Sequence, residues 1–151
     1  MSSARRALVV GSGLIGGSIG LALRAQGWHV TGRDVDESRG ARAVELGALD
    51  DVGDDPDAEI TFVATPVGSI AREARTALRG SGVVTDVGGV KAPVVSAIAD
   101  PRFVGGHPMA GSERNGPLAA RADLFDGATW VLSPTDASGA AGRLCTATTR
   151  T

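Results

Sequence analysis

His107 is one of two histidines in the 151-residue chain, and it sits in a segment dense with small residues, Gly105-Gly106-His107-Pro108-Met109-Ala110-Gly111-Ser112-Glu113. Imidazole titrates near neutrality, so a neutral histidine beside a substrate hydroxyl can take its proton. Ser112 and Glu113 could orient the ring or touch substrate; they could equally cap the next turn. A loop histidine bonded to nearby backbone is the plainer reading of His107. Its glycine-rich setting just past a strand end favours the chemical one. Lys91 could meet an anionic group, or be an ordinary surface lysine.

A second group of residues could hold something for that histidine to work on. The apolar run Ala7 to Val10 stops at Gly11-Ser12-Gly13-Leu14-Ile15-Gly16 and passes straight into a helical pattern. Strand, Gly-x-Gly-x-x-Gly, helix is the order of a dinucleotide-binding turn. Gly11 allows the tight turn, Gly13 lets backbone approach a pyrophosphate, and Gly16 lets the helix pack close to the strand. The helix then aims its free N–H groups at the phosphates. Asp34 follows the second expected strand at about the twenty-residue offset of a ribose-binding acid. A carboxylate there repels a 2′-phosphate and argues for NAD over NADP. Arg33 beside it argues the other way, since a guanidinium welcomes that phosphate; the balance favours NAD. Asp34 could also cap the helix that follows.

The elements that must position these residues alternate along the chain. Strands are expected at Arg6 to Val10, Trp28 to Gly32, Glu59 to Ala64, Gly82 to Asp86, Arg102 to Gly106 and Thr129 to Ser133. Helices are expected from Leu14 to a stop at Gly27, from Glu37 to Leu46, from Ser69 to Leu78 and from Pro93 to Ala99, with a loop and short helix over Asn115 to Phe125. Asp50 to Asp57 reads as an acidic, solvated loop rather than a metal site. The alternation predicts an α/β fold with a doubly wound, mainly parallel Rossmann-type sheet. Ligands collect at the carboxyl ends of such strands. Here those ends are Gly11-Ser12, Asp34, Thr65-Pro66, Asp86 to Gly89 and His107, all on one edge.

The whole chain bounds the rest. A net charge of -2 gives no electrostatic case for nucleic acid or a membrane surface. The single Cys145 excludes an internal disulfide and argues against a cysteine-built metal centre. No stretch reaches transmembrane length, and the N-terminal apolar run is too short for a signal peptide. A soluble cytoplasmic protein with a small-molecule substrate and no metal is expected. Residues 1–135 form the dinucleotide-binding domain. Residues 136–151 have almost no large apolar side chains and no periodicity, and are expected to be a disordered tail.

The segment around His107 resembles the prephenate/arogenate dehydrogenases of tyrosine biosynthesis. Gly11 to Ser18, Ala64-Thr65-Pro66-Val67, Thr85 to Lys91, Leu124 to Gly127 and Val131 to Thr135 support it. The resemblance implies oxidative decarboxylation: hydride passes from the hydroxyl-bearing ring carbon to the nicotinamide, and the ring carboxylate leaves as carbon dioxide. It implies that His107 polarises the substrate hydroxyl, with Ser112 and Glu113 near substrate. It places Thr65 and Pro66 at the nicotinamide pocket, with Val67 and Gly88 in the cofactor-binding set. Many members carry a serine where this chain has Gly89, so that contact is not available from this side chain. Members continue into a helical domain that makes a homodimer and supplies an arginine for substrate carboxylates. This chain is therefore expected to be a truncated or frame-shifted product, the cofactor half alone, binding NAD and turning over prephenate poorly or not at all. Two other readings stand beside it: another hydroxyacid or imine-type NAD(P) dehydrogenase, and a non-catalytic nucleotide-binding fragment.

Overall fold

The computed structural model describes residues 3–88, 97–109, 120–133 and 139–149. Its strands are β1 (Arg6–Val10), β2 (His29–Arg33), β3 (Asp51–Val52), β4 (Ile60–Val63), β5 (Val83–Asp86), β6 (Phe103–Pro108) and β7 (Trp130–Ser133). The described helices are α1 (Leu14–Ala25), α2 (Glu37–Glu45), α3 (Val67–Ala77) and α4 (Gly139–Thr149). The strands form one sheet in the order β3-β2-β1-β4-β5-β6-β7. Neighbours from β3 to β6 pair in parallel, and β7 runs antiparallel to β6. The chain winds outward from β1 to β3, then returns to lay β4 on the other side of β1. That reversal opens a crevice at the strand ends. The doubly wound, mainly parallel sheet is the one expected from the alternation of elements.

The β1 run is apolar throughout because both of its faces are covered. Ala7 and Val9 pack with Ile19 and Leu23 of α1 and with Ile60 and Phe62 of β4, whereas Leu8 and Val10 face the opposite layer. On that opposite side of the sheet, α3 lays Ile70 and Ala74 over Val63, Val84 and Phe103. Asp36 caps α2, its Oδ1 accepting the Ser38 N–H at 3.0 Å. Asp34 is therefore not the helix cap.

Two expectations are corrected. The acidic loop contains β3, whose Asp51 and Val52 pair with Thr31 and Gly32 of β2. Both β3 residues are exposed, so no burial pattern marks the strand; backbone pairing alone makes it. Nor do the acidic side chains simply lie in solvent. Asp50 accepts the Val30 N–H at 2.7 Å and Arg24 Nε at 3.1 Å, while Asp55 accepts Arg6 Nε at 2.8 Å.

The second correction concerns the tail. Gly139–Thr149 is helical, not disordered, and buries Ala141, Cys145 and Thr148 along one stripe. Ala141 and Cys145 belong to the same core as Phe62, Val104 and Phe125. Small side chains let this helix approach the sheet closely, so it needs no large apolar residue to bury a face. The helix expected over Pro93–Ala99 lies largely outside the described residues. Among the described residues no helix is long and apolar enough to cross a membrane.

The packing of α4 is testable through its thiol. Burial pushes the Cys145 thiol up to about 11 from an ordinary 9.0, against an opposing hydrogen bond with Thr85. In the native chain Cys145 should react with a thiol-disulfide reagent far more slowly than in urea. The unfolded thiol ionises near 9.0 and the folded one near 11, so the stability it contributes is intact below that window and lost as pH rises through it. Urea titrations should show this fall in the parent and not in Cys145→Ala; a native thiol as reactive as the unfolded one would mean α4 is not packed.

Candidate functional site

At the end of β1 the chain turns at Gly11, where φ is +92°, and the Gly11 N–H donates to the Arg33 carbonyl at 2.8 Å. A side chain at Gly11 would put Cβ 2.5 Å from the Ala64 carbonyl oxygen. Helix α1 then returns so close that a Cβ at Gly16 would lie 1.8 Å from the Gly11 carbonyl oxygen. Gly13 occupies the N-cap of α1 with no side-chain cap and no acidic residue in the first turn. The first N–H groups of α1 are thus left for a ligand or solvent. Above Gly13, a Cβ would meet nothing within 4 Å.

The crevice over this turn measures about 810 Å³ and is walled by the ends of β1, β2, β4 and β5. That volume lies within the range of small-molecule sites. Asp34 stands on its wall. Its Oδ2 accepts the Ser12 N–H at 2.8 Å and the Ser12 hydroxyl at 3.2 Å, and its Oδ1 accepts the Asp36 N–H at 2.9 Å. A carboxylate offers about four acceptor sites, so Asp34 keeps capacity for a further donor.

Arg33 is turned to two carboxylates. Its Nε donates to Asp54 Oδ1 and its Nη1 to Glu73 Oε2, each at 2.6 Å. Burial would lower the pKa of this guanidinium, but Glu73 and Asp54 more than offset it and hold the group above its ordinary value. Arg33 Nη2 and Thr65 Oγ1 are buried with no hydrogen-bond partner among the described residues.

On the far side of the crevice, the buried Asp86 carboxylate ties two strand ends together. Its Oδ2 accepts the Gly88 N–H at 3.0 Å, and its Oδ1 accepts the Gly106 N–H at 3.1 Å. Next along β6, His107 is half-buried with Nδ1 3.4 Å from the Val87 carbonyl oxygen. A carbonyl only accepts, so this contact assigns the proton to Nδ1 and leaves Nε2 as the acceptor.

Gly11, Gly13, Leu14, Ile15, Arg33, Asp34, Thr65, Pro66 and Gly88 therefore share one wall. Ser12 and Gly16 are buried behind it, Ser12 serving Asp34 and Gly16 the helix contact. Val67 begins α3 and is exposed off the wall. His107 is not on the wall either, but Val87, which it contacts, is. Ser112, Glu113, Gly89 and Lys91 lie outside the described residues. The structure adds Arg39, Arg72 and Glu73 to the crevice. Glu73 meets Arg33 across forty residues of sequence, and no local pattern announces such a pair. A dinucleotide fits these groups. The helix N-terminus is uncapped, the Gly13 flank is open where a Cβ would intrude, and Thr65 Oγ1 has a hydrogen bond to give or take.

The sequence pattern described as "Prephenate dehydrogenase, nucleotide-binding domain" matches residues 19–145. The chain is 37% identical over 144 residues to a prephenate dehydrogenase of Bacillus subtilis, covering 84% of this chain and 38% of that protein. It is 40% identical over 148 residues to the probable prephenate dehydrogenase NovF of Streptomyces niveus, covering 91% of this chain and 40% of that protein. The fold superposes with TM-score 0.87 on the crystal structure of prephenate dehydrogenase from A. aeolicus in complex with hydroxyphenyl propionate and NAD+, at 28% identity over 98% of this chain and 57% of that one. The chain spans about two fifths of the length of these curated relatives.

Two substitutions at the turn should part company. Gly16→Ala drives a methyl group into the Gly11 carbonyl and should cost about 3 kcal/mol or more, whereas Gly13→Ala should leave the urea midpoint close to the parent's. At the other side, Asp86→Ala strips two buried N–H groups of an acceptor at about 1–3 kcal/mol apiece. Urea unfolding of the three variants checks all of this.

Proposed function

This chain belongs to the prephenate dehydrogenase family, of which it carries the nucleotide-binding domain, and on that premise we propose that it binds NAD in the crevice as the cofactor half of an enzyme for oxidative decarboxylation of prephenate or arogenate. The observation that carries the reading is the uncapped α1 N-terminus under the open flank of Gly13, with Asp34 beside it. Backbone N–H groups of the turn bind the diphosphate there without a side chain intervening. Asp34 accepts from a ribose hydroxyl and repels a phosphate in its place. Thr65 and Pro66 wall the crevice at the end of β4, where Thr65 Oγ1 has a hydrogen bond to offer.

When bound, the nicotinamide supplies the hydride acceptor for this chemistry. His107 does the proton work. Its Nδ1–H rests on the Val87 carbonyl, so Nε2 takes the proton of the substrate hydroxyl and holds it while the ring becomes aromatic. A cytoplasmic, tyrosine-biosynthetic setting goes with that substrate class.

A second reading, a nucleotide-binding module without turnover, draws on the match of residues 19–145 to a nucleotide-binding domain. Calorimetry with NAD, followed by a hydride-transfer assay with prephenate and with arogenate, separates the two. NAD should bind, and Gly13→Ala should weaken it about tenfold while the fold is kept. In any preparation that turns over, His107→Asn should retain NAD binding and lower kcat about 100-fold or more. No binding of NAD by the folded chain would overturn the proposal; binding with no turnover would leave the module reading.

A further inference from the structure

Arg33 immediately precedes Asp34 and lines the same crevice, at the place in sequence where an arginine usually admits a 2′-phosphate. Two of its three nitrogens are held by carboxylates. Nε is held by Asp54 from the loop after β3, and Nη1 by Glu73 from α3, each at 2.6 Å. Nη2 is shut off from solvent, without a partner among the described residues. Glu73 is only 12% exposed and Arg33 24%, so water screens this pair far less than a surface ion pair. The three groups together carry one net negative charge, and Asp34 adds a second. A phosphate dianion approaching this end would meet repulsion and a guanidinium already held by two carboxylates. Arg39 and Arg72 also reach the crevice, but on exposed side chains, and Arg72 Nη2 is drawn to Glu73 Oε1 at 3.6 Å.

We propose that Glu73 and Asp54 are specificity-determining residues. By clamping Arg33 they withhold its guanidinium from a ribose 2′-phosphate, so that the crevice takes NAD in preference to NADP. Asp34 supplies the attraction for the free hydroxyl; the clamp supplies the rejection of the phosphorylated sugar. The inference rests on the nucleotide-binding reading of the crevice.

The test reads the ratio of NAD to NADP dissociation constants by calorimetry on the whole chain, a quantity in which a uniform loss of affinity cancels. The parent should favour NAD. Glu73→Ala should shift the ratio toward NADP by about fivefold or more, and Asp54→Asn should shift it in the same direction. Arg33→Gln alone should not move the ratio toward NADP, because the guanidinium is already withheld and its loss leaves the cluster more negative. Arg33→Gln added to Glu73→Ala should cancel the gain. If Glu73→Ala fails to fold by circular dichroism, Asp54→Asn with and without Arg33→Gln carries the same comparison. A folded clamp variant with the parent's ratio would overturn the clamp, and so would a parent that takes NADP as tightly as NAD. A parent that binds neither nucleotide would overturn the functional reading together with it.

Discussion

The contact on which the rest of the structure depends is the approach of α1 to the end of β1, at a distance that only glycine permits. A Cβ at Gly16 would overlap the Gly11 carbonyl oxygen at 1.8 Å, and one at Gly11 would overlap the Ala64 carbonyl oxygen at 2.5 Å. Three elements thereby meet at one point: β1, the helix that follows it, and the end of β4. The end of β2 is bonded to the same point, through Gly11 N–H on the Arg33 carbonyl and Ser12 N–H on the Asp34 carboxylate. The donors of the helix terminus and the acid beside them are thus fixed before any ligand arrives. Preorganisation of this kind spares a ligand the entropic cost of ordering its own site.

That contact is also why the first unit was legible from sequence. A buried strand, a glycine turn and an amphipathic helix are local, so their signals lie side by side in the chain. Asp34 is nearly as local, because one helix and one strand separate it from the turn. The doubly wound sheet followed from repetition of the same pattern. The illegible parts are those made by distant partners. β3 is two exposed residues held by ladder bonds to β2, and α4 buries a stripe of Ala141, Cys145 and Thr148 that no scan for large apolar residues would find. The membership of Glu73 in the crevice depends on where α3 lands, not on anything near Glu73 in sequence.

The acidic stretch after α2 shows the same division between composition and placement. Read alone, its aspartates are turn formers in water. In the fold, Asp50, Asp54 and Asp55 each take an arginine from another element: Arg24, Arg33 and Arg6. The exposed pairs among these add little stability one by one. Their effect is directional, because each fixes where an arginine side chain points. For Arg33, Asp54 holds Nε while Glu73 holds Nη1.

The glycines ahead of His107 answer a different need from those of the first turn. A Cβ at Gly106 would sit 2.7 Å from the Asp86 carbonyl oxygen and 2.8 Å from Thr85 Oγ1, so β6 lies against β5 with no room for a side chain. That closeness lets one buried carboxylate reach both the Gly88 and the Gly106 N–H groups. Gly88 is on the crevice wall, and Gly106 immediately precedes the histidine. Wall and imidazole are therefore registered to each other through the backbone, and the Val87 carbonyl sets the tautomer from the same short segment. Glycine richness at this point is a packing requirement. A looser pair of strands would leave Asp86 too far to bridge them, and the ring would lose its fixed relation to the crevice.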